Sequence, residues 1–170
     1  MNKRVRHLAH GALIAAMYVV LTHLQNLLVP NSASFAIQIR VSEALCVLAF
    51  FTPAAISGLT VGCVLFNLTF AAALPLDAPV GGLATLLAVT AMYLTRNVCI
   101  GKLPLLGFLF PALTNAFLVG WELTVYLGGG FWLNALYVAL GELIALLIPG
   151  LLVWGILQRQ DLGKRIFEMP

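Results

Sequence analysis

Between Leu8 and Leu157 the chain is a succession of apolar stretches. They are cut by short breaks at Pro30, Thr52-Pro53, Pro75 to Gly82, Thr95 to Pro104 and Gly128 to Gly130. That pattern leaves few folds open. A helix crosses the hydrocarbon core of a bilayer in roughly 20 residues, so a chain of 170 residues holds about six such spans with short loops. Charged residues make up 9% of the chain and hydrophobic ones 62%, whereas a soluble domain carries about 25% charged residues. Such a chain cannot clothe a water-facing surface. The sequence predicts an all-α integral membrane protein, one transmembrane domain over residues 1–170, with no room for a second, soluble domain.

The predicted spans are about 8–29, 41–51, 54–74, 83–94, 105–127 and 132–157. Pro30 ends the first, Thr52-Pro53 separates the second from the third, and Pro75, Asp77, Pro79 and Gly81-Gly82 read as a turn before the fourth. The basic start, "MNKRVRHLAHGALIAAMYVVLT", is read as a retained first span, because its apolar run is too long for a signal peptide and no small-residue cleavage site closes it. With six spans, Lys3, Arg4, Arg6, Arg96, Lys102, Arg159, Lys164 and Arg165 all fall on one side, and Arg40 alone falls on the other. The positive-inside rule then places both termini in the cytoplasm.

The second span is too short to cross alone, at about 11 residues. The residues before it, "SFAIQIR", must therefore dip into the membrane zone or lie over the bundle. Ala36, Gln38 and Arg40 alternate there with Ile37 and Ile39, which is strand-like or extended spacing. Irregular backbone at that depth is tolerated where protein buries it or a cavity is wet, and interrupted segments of this kind build transporter binding sites.

A charge inside a span costs about 2.5 to 3.5 kcal/mol on insertion scales, so each one needs a reason. At about 1.5 Å of rise per residue, Asn67 falls in the outer half, Asn115 near the midplane, Glu122 near the outer end, Asn134 shallow from outside and Glu142 roughly 15 Å deep. Arg40 and Glu43 open the second span from outside and are three apart, close enough to meet. Asn115, Glu122 and Tyr126 share a helix face. All this polarity maps to one side of the membrane, which points to an outward-facing binding site. Each residue also has a plainer reading. Arg40 snorkels to headgroups, Glu122 is interfacial beside Trp121, and Glu142 packs as a neutral acid. Asn67, Asn115 and Asn134 then join helices, and Trp121 and Trp132 belong to an aromatic belt.

Other chemistry is poorly supported. Cys46, Cys63 and Cys99 stand alone, no CxxC pair exists, and His7, His10 and His23 form no cluster with them, so neither a metal site, a cofactor nor a disulfide is expected. "CIGKLP" lacks the loop glycines and the Ser or Thr of a P-loop, and Asn67-Leu68-Thr69 is a glycosylation sequon only by accident, inside a span. No Ser–His or Cys–His pair falls at a common depth, which argues against an enzyme. Gly11/Ala15 and Ala12/Ala16 make two overlapping pairs of small residues, and Gly58/Gly62 repeats the spacing. Such pairs let helices approach closely, either within the bundle or against another membrane subunit.

The stretches "IQIRVSEAL" (Ile37 to Leu45), "FFTPAAISGLTVGC" (Phe50 to Cys63) and "GGLATLLA" (Gly81 to Ala88) resemble the QueT family of queuosine-precursor transporters, the S-components of energy-coupling-factor (ECF) importers. The likeness covers most of the chain. Gly82 stands where that family's pattern leads one to expect serine. The resemblance implies a six-helix S-component in a bacterial plasma membrane, working with a transmembrane coupling subunit and two cytoplasmic ATPases. It implies that Ala12 and Ala16 dock the coupling subunit. It implies a deazapurine cargo, 7-aminomethyl-7-deazaguanine or queuine.

The residues suit such a cargo. A carboxylate accepts the paired N–H donors of a guanine-like edge, and a second pairs with an aminomethyl cation. Glu122 and Glu142 are the expected pair, with Glu43 divided between cargo and Arg40. Arg40 or Gln38 donates to the ring carbonyl, the amides of Asn67, Asn115 and Asn134 line the site, and Trp121, Tyr126, Trp132 or Tyr137 stacks on the base. The alternatives are an S-component for another vitamin-like molecule and a solitary proton-coupled transporter.

Overall fold

The computed structural model describes residues 2–30, 32, 39–70, 72–101, 103–159 and 162–167, and the described residues hold helices and no strand. Helix α1 spans Lys3–Leu28, a 3-10 helix η1 spans Val41–Phe50, α2 spans Ala54–Thr69, α3 spans Asp77–Leu94 and α4 spans Leu105–Leu127. The last long rod joins α5 (Phe131–Ala145), a π-helical turn (Leu146–Gly150) and α6 (Leu151–Gln158), and a short α7 (Leu162–Phe167) follows. Four of these, α1, α3, α4 and the Phe131–Gln158 rod, are long and apolar enough to cross a membrane, while η1 and α2 are shorter apolar helices. The chain is a multi-pass membrane protein.

Neighbours in sequence pack as neighbours in space: α1 on α2, α2 on α3, α3 on α4, and α4 on α5. The second predicted span is the exception. Every residue of η1 after Val41 is buried, and it touches α1, α2, α3, α5 and α6. It is the core around which the other rods stand. Its 3-10 winding advances about 2.0 Å per residue, so its ten residues reach about 20 Å where an α-helix would reach about 15 Å. The tighter winding recovers part of the length that the sequence lacks. An aromatic group closes the lower core: Phe50 lies 5.4 Å from both Phe108 and Trp154, ring centroid to centroid.

Helix α4 keeps its predicted bounds, but three other boundaries move. Helix α1 starts at Lys3, before the apolar run, because the Asn2 side chain caps it by accepting from the Arg4 N–H at 3.1 Å. Helix α2 ends at Thr69, and Phe70 is already extended. Helix α3 begins at Asp77, so Gly81 and Gly82 lie inside a helix and are buried, not in a turn. Pro79 does not prevent this, because a first-turn residue has no intrahelical bond to lose. The two glycines are contact points. A Cβ on Gly81 would lie 3.0 Å from the Asn67 amide nitrogen, and one on Gly82 would lie 2.6 Å from a methyl of Val64. The glycine turn after α4 is as expected, with Gly128 and Gly129 in the left-handed region at φ 76° and 79°. In the last rod Pro149, which has no N–H to give, sits in the widened π turn.

The small residues of α1 divide between two faces. Gly11 and Ala15 are buried against α2, where a Cβ on Gly58 would lie 2.7 Å from the Gly11 carbonyl oxygen. Ala12 and Ala16, one position on, are exposed.

Candidate functional site

Immediately before η1 the backbone is extended at Arg40. Arg40 has φ −106° and ψ 111°, and its guanidinium lies over the Phe66 ring at 5.6 Å from the centroid. Glu43 follows one turn later, 3% exposed. Its Oε1 accepts from the Tyr18 hydroxyl at 2.5 Å and its Oε2 from the Cys46 thiol at 3.2 Å. Both residues face a narrow polar cavity between the helices, with room for about one water molecule as it stands. Asn67 of α2, Asn115 of α4 and Glu142 of α5 complete its polar wall. Five residues that the sequence scatters over a hundred positions therefore meet around one space.

Three residues not singled out from the sequence share this wall: Asp77, Thr85 and Cys63. Asp77 had read as a loop residue beside the prolines. The extra turns of α3 bring it in, with its Oδ2 accepting from the Leu74 N–H at 2.6 Å. An acid in the first turn of a helix, where the dipole favours negative charge, is the signal that would have found it. The Asp77 backbone carbonyl in turn accepts from the Asn67 amide at 2.9 Å.

Other expected residues lie elsewhere. Trp132 is 75% exposed, and Trp121 and Tyr126 are also on the outer surface of the bundle. Tyr137 is half-buried and does not line the cavity. An amphipathic aromatic on a lipid-facing stripe is stable there, and stacking inside would have required a face of α4 or α5 that small residues occupy. Gly120 meets Ala135 so closely that a Cβ would lie 2.8 Å from its Cα. Asn134 closes the turn between α4 and α5, donating to Thr124 Oγ1 and the Gly128 carbonyl, each at 3.0 Å. Gln38 lies outside the described residues, as does most of the alternating segment.

Glu122 is fully buried and does not line the cavity, and the Asp77 carboxyl lies beside it. Among the described residues neither of its carboxyl oxygens has a hydrogen-bond partner, and Glu142 Oε2 and Asn67 Oδ1 are also unsatisfied. Buried polar atoms are almost always bonded, and leaving one unmade costs about 1 to 3 kcal/mol. Of these four acceptors, Glu142 Oε2 and Asn67 Oδ1 belong to wall residues, and they suit a ligand rich in N–H donors. Among the described residues no group of three His, Cys, Asp or Glu side chains can hold a metal ion.

The family model described as the QueT transporter matches residues 8–159. A curated relative, the queuosine precursor transporter QueT of Lactococcus lactis subsp. cremoris (strain MG1363), is 31% identical over 167 residues, covering 90% of this chain and 93% of its own length. No solved structure matches the chain.

Proposed function

As the chain belongs to the QueT transporter family, we propose that it is the substrate-binding S-component of an energy-coupling-factor importer and captures a queuosine precursor. Residues 1–170 form its one transmembrane domain, with six spans and both termini in the cytoplasm, in keeping with the basic residues on one side. The cargo is 7-aminomethyl-7-deazaguanine or queuine. The relative's name supports the cargo class. The observation that carries the reading is the pair of buried, unsatisfied acceptors on the cavity wall, Glu142 Oε2 and Asn67 Oδ1.

A guanine-like edge places two N–H donors side by side, which suits a carboxylate, and an aminomethyl group brings a cation to the other end. Glu142 and Glu43 accept these donors from within the cavity, with Asn67 and Asn115 beside them. Arg40 donates to the ring carbonyl. Glu122 acts through Asp77. Transport is driven by two partner ATPases and a membrane coupling subunit, and the exposed Ala12 and Ala16 form the docking face on α1. The chain itself catalyses no reaction.

Calorimetry tests the cargo. The purified chain is titrated with 7-aminomethyl-7-deazaguanine. Saturable binding is expected. No binding by monodisperse protein, or binding of riboflavin or biotin instead, overturns the assignment.

The adjacent carboxyls of Asp77 and Glu122 favour one second reading, a solitary proton-coupled transporter, since acid pairs in membranes mark proton paths. Proteoliposomes separate the two. Uptake by the chain alone, without ATP, favours the second.

A further inference from the structure

Tyr18, Thr22 and Gln25 follow one another along one face of α1, at helical spacings of four and three. All three aim polar groups at the same short stretch, residues 39 to 43. Gln25 Nε2 donates to the Ile39 carbonyl at 2.5 Å, and Gln25 Oε1 accepts from the Val41 N–H at 2.7 Å. The Thr22 hydroxyl lies 2.6 Å from the Ser42 hydroxyl and 2.7 Å from the Tyr18 carbonyl. The Tyr18 hydroxyl donates to Glu43 Oε1. Tyr18, Thr22 and Ser42 are completely buried.

Holding two helices together does not require this stripe. Apolar side chains pack as well, and each buried hydroxyl or amide adds a desolvation cost that only a bond offsets. What the stripe does is fix a register. The amide of Gln25 bonds the backbone on both sides of Arg40, much as a neighbouring strand would. Tyr18 and Cys46 then hold the two oxygens of Glu43 from different sides, which fixes the plane of its carboxylate. Tyr18 has little room to yield, since a Cβ on Gly62 would lie 2.8 Å from its own Cβ.

We propose that this stripe of α1 is a positioning device for the cavity, with Tyr18 the positioning residue that orients Glu43 toward the ligand and Gln25 the one that sets the approach of Arg40. The inference rests on the reading of the cavity as the ligand site.

A double-mutant cycle tests it. Wild type, Tyr18→Phe, Glu43→Gln and the double variant are titrated with 7-aminomethyl-7-deazaguanine, and their thermal unfolding is recorded. Tyr18→Phe should weaken binding roughly tenfold or more, the scale of one buried hydrogen bond to a charged group. It should cost no further affinity once Glu43 is Gln. Gln25→Met, a variant away from Tyr18, should also weaken binding. Wild-type affinity in Tyr18→Phe, or an equal loss in both Glu43 backgrounds, overturns the proposal, since a purely structural tyrosine would lower the unfolding temperature without this coupling.

Infrared difference spectra give a readout that needs no cargo. The spectrum of wild type minus Tyr18→Phe should contain a shifted carboxyl band that disappears in the Glu43→Gln background, and its absence overturns the proposal. If wild type fails to bind the deazapurine, the cargo reading falls while this spectral result still decides whether Tyr18 holds the Glu43 carboxyl.

Discussion

Gly62 of α2 lies against Tyr18 of α1 with no space between them: a Cβ at Gly62 would sit 2.8 Å from the Tyr18 Cβ and 3.0 Å from the Ala15 carbonyl oxygen. One of the tightest contacts in the first helix pair is thus made at the residue that bonds Glu43. The stability of the α1–α2 seam and the geometry of the cavity depend on the same contact.

Gly62→Ala should therefore destabilise the protein by about 1 to 3 kcal/mol, the cost of overpacking a filled contact. One of its obstacles is backbone, which cannot turn aside. Thermal unfolding in detergent measures the loss, and an unfolding temperature equal to wild type would show that the seam can spread freely. Ligand affinity should fall in the same variant, because Tyr18 moves with α1.

Ala12→Leu and Ala16→Leu should behave in the opposite way. Both positions are exposed, so stability should stay within about 0.5 kcal/mol of wild type and ligand binding by the isolated chain should be unchanged. Uptake by cells that supply the coupling subunit and ATPases should drop, with less of the coupling subunit co-purified. Full uptake in both variants would remove these alanines from the docking face.

Glu142→Gln should weaken cargo binding by more than about tenfold, as expected when a charge-assisted hydrogen bond becomes a neutral one. The protein should remain extractable and monodisperse, because Oε2 of Glu142 bonds no other group whose partner would be lost. Trp132→Ala, at a position 75% exposed, should bind as wild type does. Unchanged affinity in the first variant, or a large loss in the second, would reassign the site.

Gly82→Ser should cost stability on its own, since its Cβ would lie 2.6 Å from a Val64 methyl. Pairing it with Val64→Ala should recover most of the loss. Unfolding temperatures of the single and double variants decide the matter. Equal temperatures in both would mean that α3 shifts as a body.

Much of the fold was legible because its causes are local. Leu105 to Leu127 reads as a helix and is one, and the glycines after it stop it. The errors share a cause too. Gly81 and Gly82 look like turn residues in isolation, but their missing side chains are used by Val64 and Asn67 of another helix. Asp77 was hidden by the same misreading. Trp121 and Trp132 suit the chemistry of a base-stacking site, and their place on the outer surface of the bundle is something the sequence does not decide.

The sequence by itself determined that this chain enters a membrane and which few polar groups it must accommodate there. Those are consequences of composition and of the cost of charge in hydrocarbon. Tertiary structure alone decided that Val41–Phe50 winds as a 3-10 helix through the centre of the bundle. It also decided that Arg40, Glu43, Asn67, Asp77, Asn115 and Glu142 share one cavity, and that α1 offers Gly11 and Ala15 inward and Ala12 and Ala16 outward. Facing is a property of pairs of helices. It is set by where small residues let distant segments touch, and no periodicity along one segment contains it.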